Sequence, residues 1–360
     1  NGVIVVTTKK GKAGPPQVNY SASVTFARRP HYGDKFVNMM DSRERVAFSR
    51  QLIESNVAYP YVQSWVGYEA AIKDYWEDRI SFAEMQRRVS RAESLNTDWF
   101  DLLTRNSWSQ KHTVSLSGGS STMKYYVSLG LNDARGNIRG EKDKTYTANA
   151  NLTANFGRFG FRFGMNASSQ NKDYTPSSVN VLGYAYNTSR ALEAYNEDGT
   201  RHTYLKPDYT GKNTVNFNIL DELDNTWQEI KTTTASFNTT LDYRILEGLK
   251  AGVTLSYSMD HTGDQSYFGA NSYRGQYLSA GGPENVLSMM PSGGELLDNS
   301  VDRRAYMIRA QIDYNTTLDK DGDHSLSAAL GGEISSNRYT SWSQTYRGYE
   351  PGRGRSMNEF

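Results

Sequence analysis

The sequence predicts an all-β chain, an antiparallel transmembrane β-barrel present in part, with about nine strands and a helical insertion in the first long loop. Three observations lead to that fold class. Apolar and polar residues alternate over nine stretches, the period of two that sends successive side chains to opposite faces of a pleated strand. The connections between the stretches alternate between short and long. The polar faces are rich in Asn, Ser and Thr and poor in Lys and Glu, as suits a hydrated lumen.

Taken in order, the first strand carries Val18, Tyr20, Ala22, Val24 and Phe26 on one face. Val114 and Leu116 mark the second, and Tyr125, Val127, Leu129 and Leu131 the third. Tyr146 to Phe156 alternate on even numbers, and after the turn "GRFG" the apolar set continues as Phe159, Phe161, Phe163, Met165 and Ala167. Ala235, Phe237, Leu241 and Tyr243 define the sixth, and Leu249 to Tyr257 on odd numbers the seventh. Tyr306, Ile308, Ala310, Ile312 and Tyr314 give the eighth, and Leu326, Ala328, Leu330 and Ile334 the ninth.

Short turns at 118–122, 157–160, 246–248 and 319–323 alternate with long segments at about 28–109, 133–143, 172–230 and 261–300. An up-and-down barrel in a membrane sorts its loops in this way, because every second connection returns to the same rim. Tyr125, Tyr126, Phe156, Phe159, Tyr243 and Tyr314 lie beside the short turns, where rings at headgroup level are expected. Aromatic residues are also ordinary β-formers, and soluble antiparallel sheets can carry uncharged polar faces, so a soluble β-rich carbohydrate-binding module and a passive porin stay open on these grounds. In the first long segment, Asp41 is positioned as an N-cap with Glu44 three residues on, and residues 69–95 continue in a helical idiom. A solvated insertion packed on a barrel mouth is the expectation there.

Composition narrows the function. Lys plus Arg number 40 against 39 for Asp plus Glu, a net charge of +1 that gives no general attraction to nucleic acid. The absence of cysteine excludes disulfide scaffolds, thiolate metal sites and cysteine nucleophiles. Mean hydropathy is −0.69, and no apolar run reaches the roughly 18 residues of a membrane-spanning helix, so any crossing is by strands. The five histidines show no ligand spacing, and no nucleophile-elbow or phosphate-loop motif is present, which disfavours an enzyme; no metal or cofactor is implied. Asp319, Asp321 and Asp323 alternate like the start of a calcium loop, but Gly322 comes two places early and the terminal Glu is missing, so a hairpin turn is expected. "YNEDGT" at 195–200 has a similar turn composition within a long loop. Aromatic residues of the long loops, Tyr184, Tyr186, Tyr195, Trp227, Tyr267, Phe268, Tyr273 and Tyr277, are the candidates for ligand contact, with packing of loop on loop as the alternative. Both ends read as truncated: residue 1 is Asn, and the terminal Phe360 follows a Gly/Arg-rich stretch rather than a strand.

"NGVIVVTTKKGK" at 1–12 resembles the last plug strand of the SusC-like (SusC/RagA) family of TonB-dependent outer-membrane transporters. "NTDWFDLLTRNSWSQKHTVSLSGGSSTMKYYVSLGLNDARGNI" at 96–138 is similar to that family's second and third barrel strands, and 241–257 to a later hairpin. The resemblance implies a fragment of a 22-stranded barrel with an internal plug: residues 1–14 as the last plug strand and linker, 15–360 as the N-terminal part of the barrel. Asn1, Gly2, Val3, Ile4, Lys9 and Lys10 would then lie at the plug–barrel junction. It also implies the outer membrane of a Gram-negative, Bacteroidetes-like bacterium, contact with outer-membrane lipid, and import of glycan oligomers or peptides. The implied partners are a SusD-like surface lipoprotein and TonB, the latter through a segment this chain lacks.

Overall fold

A computed structural model describes residues 9, 11–57, 65–209, 211, 214–279, 293–319 and 323–353. Its strands are β1 (Gly14–Ala27), β2 (Ser107–Gly119), β3 (Met123–Arg135), β4 (Lys142–Phe156), β5 (Phe159–Tyr174), β6 (Tyr204–Pro207), β7 (Thr214–Phe217), β8 (Thr226–Leu246), β9 (Leu249–Phe268), β10 (Gly294–Thr317) and β11 (Ser325–Tyr349). Nine of them form one antiparallel sheet in strict chain order, β1-β2-β3-β4-β5-β8-β9-β10-β11, while β6 and β7 pair only with each other. All nine expected strands are therefore present as consecutive neighbours.

Register follows from the alternation. Leu152 opposes Phe163, Phe161 opposes Leu241, Leu241 opposes Val253, Val253 opposes Ala310, and Ile308 opposes Ile334. One face is thereby apolar from β1 to β11, since a period of two keeps facing residues of like character together. Large apolar side chains on it are exposed even on strands inside the sheet: Leu129 is 61% exposed and Tyr146 52%. The other face carries Asn149, Asn151, Thr153, Ser236, Asn238 and Ser256, joined in part by cross-strand hydrogen bonds such as Ser256 Oγ to Asn238 Oδ1 at 2.8 Å.

Four short connections fall at one end of the sheet, 120–122, 157–158, 247–248 and 318–324, and a fifth, 136–141, is at the opposite end, where a longer segment at about 133–143 was expected. In the turn between β8 and β9, Gly248 has φ +78, and a Cβ there would run into the carbonyl of Asn315, so both the turn conformation and the approach of β10 call for glycine. Residues 320–322 of the expected Asp-rich turn lie outside the described residues.

The other connections build a cap at the opposite end. Between β1 and β2 lie α1 (Ser42–Glu54), α2 (Gly67–Trp76), α3 (Phe82–Ser94) and α4 (Trp99–Leu103). Between β5 and β8 are α5 (Val181–Asn187), the β6–β7 hairpin and α6 (Ile219–Asn225), and between β9 and β10 is α7 (Tyr273–Ser279). The stretch expected to run as one helical segment from residue 69 is broken into α2 and α3, because Asp78 adopts φ 56 and Ser81 caps α3 through Glu84 N. The described core sits in this cap, not in the sheet. One cluster joins Trp99, Phe100 and Leu103 to Val181, Ala185, Phe217 and Ile219, and a second packs Val46, Tyr68, Ala71 and Val89 around Ala191.

The long segments are shorter than expected. β5 continues to Tyr174 and β8 begins at Thr226, β9 continues to Phe268, and β10 begins at Gly294. Polar residues carry these strands past the apolar band because the ladder depends on main-chain pairing and not on side-chain alternation.

Asp41 caps α1 as a full capping box, its side chain accepting from Glu44 N at 2.8 Å while Glu44 Oε2 accepts from Asp41 N at 3.0 Å. Asp41→Ala should cost about 1 kcal/mol. Amide hydrogen exchange should then accelerate in the first turn of α1 and stay unchanged in β2 and β3.

Candidate ligand-facing site in the loop cap

Aromatic rings from three long connections form a continuous run. Trp99 of α4 meets Tyr184 of α5 edge-on at 5.1 Å, and Tyr184 lies 6.0 Å from Phe217 of β7. Tyr204 of β6 is 5.5 Å from Phe217, and its hydroxyl is 3.0 Å from that of Tyr184. Tyr273 of α7 follows at 6.1 Å from Phe217, and Tyr209 stands 4.8 Å from Tyr273 and 5.1 Å from Tyr277. Tilted and edge-on contacts of this kind add to burial because the electron-rich face of one ring meets the positive rim of the next.

Two charged groups lock this run. The Lys206 ammonium lies 4.2 Å from the Phe217 ring centre and 4.4 Å from that of Tyr273, a double cation–π contact. Glu222 of α6, 5% exposed, accepts from the backbone N–H of Tyr273, and the Tyr273 hydroxyl donates to the Pro207 carbonyl. Burial pushes the Glu222 carboxyl up to about 7 against the opposing pull of that N–H and of Lys206. Burial likewise lowers Lys206 and raises the hydroxyls of Tyr184, Tyr204 and Tyr273, the last to about 12.

A second lock fixes α7 to the strand ends. Glu295 of β10, fully buried, accepts from Arg274 of α7 through Oε2 and from Arg347 of β11 through Oε1, the latter at 3.3 Å. Glu295 is the buried member of this set, and removing both arginines would leave its charge uncompensated, which is far costlier than removing an exposed pair. Between α2, α3 and residues 191–205 lies a cavity of about 530 Å³ lined by Trp65, Arg87, Arg91, Glu193, His202 and Tyr204. Its guanidinium groups are already engaged: Arg91 forks onto Glu193 at 2.6 and 2.9 Å, and Arg87 reaches Glu197 at 2.7 Å.

The residues singled out from sequence separate into three groups. Tyr184, Tyr273 and Tyr277 belong to the aromatic run. Trp227 and Tyr267 are on β8 and β9, not in loops; they are a cross-strand pair with rings 5.7 Å apart, and Tyr349 lies 5.7 Å from Tyr267. Phe268 is also a strand residue, 5% exposed beneath the Arg274 guanidinium. Tyr186 packs edge-on against Phe100 at 4.9 Å, and Tyr195 flanks the 196–199 turn through its bridge to Arg201. In that turn Asp198 Oδ1 accepts from Thr200 N at 2.9 Å, so the carboxylate is used locally. Tyr204, Lys206, Tyr209, Phe217 and Glu222 were not singled out, although Tyr204 and Tyr209 share the aromatic-dense loop that holds Tyr184 and Tyr195. Tyr209, 58% exposed, is the most solvent-accessible ring of the run.

Of the junction residues, Asn1, Gly2, Val3, Ile4 and Lys10 lie outside the described residues. The Lys9 carbonyl accepts from Asn151 Nδ2 at 3.1 Å, and a Cβ on Gly11 would meet the backbone of Tyr125. Lys9 thus lies against the polar face of the sheet, on the side of Asn151. Among the described residues no group of three His, Asp or Glu side chains is arranged to hold a metal ion.

Because Glu222 binds its proton more tightly when folded, its contribution favours the cap fully below about 4.5 and is lost as pH rises through about 7. The difference amounts to about 3 kcal/mol. Glu222→Gln keeps an acceptor for Tyr273 N and should flatten this dependence. Tyrosine and tryptophan fluorescence during thermal unfolding, followed between pH 4.5 and 8, should show a steeper decline in the parent protein than in the variant.

No family model matches the chain. It is 30% identical over 172 residues to the TonB-dependent receptor SusC of Bacteroides thetaiotaomicron, an alignment covering 48% of this chain and 14% of that receptor. It is 22% identical over 279 residues to the TonB-dependent receptor P3 of Formosa agariphila, covering 73% of this chain and 23% of the receptor. Its fold matches the RagAB peptide importer in the closed-closed state with a TM-score of 0.65 at 17% identity, over 98% of this chain and 38% of that one. The open-open state gives 0.61 over the same shares. The chain thus spans less than a quarter of the curated relatives it matches, both of them named as TonB-dependent receptors. Ordered strands, sorted connections and sequence identity agree that the chain is homologous, over part of their length, to the SusC/RagA family of TonB-dependent outer-membrane transporters.

Proposed function

We propose that the chain forms the plug–barrel junction and the first sector of the barrel of a TonB-dependent importer in a Gram-negative outer membrane. The observation that carries this reading is the sorting of connections. Four short turns are at one end of the sheet, and the three long segments pack together at the other, where the six-residue connection 136–141 adds Ile138 to their core, an arrangement that a two-sided membrane environment explains and a soluble sandwich does not require. In this reading the apolar face meets lipid, the polar face lines the lumen, and the sheet continues from its open edges β1 and β11 into a closed barrel, because unpaired main-chain groups are not tolerated in hydrocarbon.

Residues 1–14 act as the last plug strand and linker, with Asn1 to Lys10 at the junction, and 15–360 as barrel. The position of Lys9 against Asn151 supports this, since a plug must enter from the lumen side. The cap faces the cell exterior, where a SusD-like lipoprotein delivers a glycan oligomer or peptide. Tyr209, Tyr277, Tyr186 and Tyr195 offer ring faces to it, while Tyr184, Tyr273 and Phe268 hold the cap together and Trp227 and Tyr267 stiffen the strand ends. TonB supplies the energy for uptake. The work done is uptake by plug movement, without covalent chemistry.

Lipid contact is tested by charge placement. Val253 lies at the middle of the apolar stretch of β9, and Ser256 is on the opposite face. Val253→Lys should cost about 2–4 kcal/mol in urea titrations of vesicle-inserted protein, and Ser256→Lys under about 1. Equal costs for the two would mean that the apolar face does not meet a bilayer.

A further inference from the structure

The arginines of β10 and β11 separate by face. Those on the polar side are satisfied: Arg303 donates to Asn337 Oδ1 at 3.1 Å, Arg309 reaches Glu333 at 2.6 Å, and Arg347 holds Glu295. Arg304 and Arg338 lie on the apolar side and are directly opposed across the β10–β11 ladder. Both are exposed, and neither makes an ion pair or side-chain hydrogen bond among the described residues. Two like charges in register repel and are disfavoured unless something neutralises them. The closest acid in sequence on that face, Asp302, is bound by His261 at 2.9 Å.

Their height on the sheet is specific. Arg304 is two residues beyond Tyr306, the last ring of the apolar stretch of β10, and Arg338 is four beyond Ile334, the last aliphatic of β11. Both therefore stand at the border of the apolar band nearest the cap. Trp342, on the same face four residues beyond Arg338, is 45% exposed, as suits an indole at an interface between lipid and water. A guanidinium pair matches phosphate oxygens geometrically, and each arginine provides several donors in one plane.

We infer that Arg304 and Arg338 form a binding site for the phosphate of a phosphorylated membrane lipid, seated on the outside of the sheet at the cap-side edge of its apolar band. The acyl chains lie along Ile308 and Ile334 while the phosphate bridges the two guanidinium groups. This rests on the lipid-facing reading of that surface.

Native mass spectrometry of the full chain in detergent tests it, with titration by phosphatidic acid, by diacylglycerol of the same acyl chains and by inorganic phosphate. Phosphatidic acid should bind more tightly than diacylglycerol. Arg304→Gln and Arg338→Gln should each weaken phosphatidic acid roughly tenfold, without changing diacylglycerol. The double Arg→Lys variant, which keeps both charges but not the planar forks, should bind phosphatidic acid more weakly than the parent and more tightly than the double Gln variant, and so separate loss of charge from loss of fold. Unchanged affinity for phosphatidic acid in the double Gln variant would overturn the site while leaving the lipid-facing surface intact. Inorganic phosphate binding as tightly as phosphatidic acid would overturn the lipid as its ligand. Failure of both lipids to associate with the parent chain would remove the lipid-facing reading, and this inference with it.

Discussion

The main-chain ladder that runs without a break from β1 to β11 sets the position of everything else in the molecule. Antiparallel neighbours in strict chain order leave no freedom in where a connection emerges: each must return to the rim at which its strand ended. Alternation then divides the two faces, because a slip of one residue would move a whole apolar set to the polar side. The long strands β8 to β11 carry this ladder well past the apolar band, and their ends form the platform on which the cap is fixed.

The cap has the only described clusters of fully buried apolar side chains, and it is assembled from segments far apart in sequence. Its cohesion is of two kinds. Trp99, Phe100, Phe217 and Ile219 supply ordinary apolar burial, while Lys206, Glu222, Arg274 and Glu295 supply charges removed from water. The charged contacts are directional, and each joins a different pair of loops or a loop to a strand end. They specify how α6 and α7 dock, whereas apolar burial alone would tolerate several arrangements.

The two faces of the sheet solve different problems. Hydroxyl and amide side chains on the polar face bond one another across strands and pack against the incoming segment at Lys9. On the apolar face of β10 and β11, charged groups begin beyond Tyr306 and Ile334, where Arg304 and Arg338 stand with Trp342. Arginine is thus used in opposite ways on adjacent residues of one strand: Arg303 donates to Asn337 and lies 3.9 Å from the Asp260 carboxylate, and Arg304 is left for a partner from outside.

Sequence alone determined the strand number, the two faces and the cap of α1, because each depends on local chemistry: alternation of period two, or an Asp three positions before a Glu. The family resemblance was legible for the same reason, since residues 96–138 carry strand and turn signals in a fixed order. Strand ends were not legible. Trp227, Tyr267 and Phe268 lie in polar surroundings without clean alternation, and only pairing with a neighbour many residues away makes them strand. The aromatic run and its Lys206–Glu222 lock were also decided by tertiary structure, as Tyr184, Tyr204, Phe217 and Tyr273 belong to segments whose docking depends on burial and not on spacing. Burial, likewise, set the protonation of Glu222, and cross-strand register set Arg304 beside Arg338; neither has a signature along the chain.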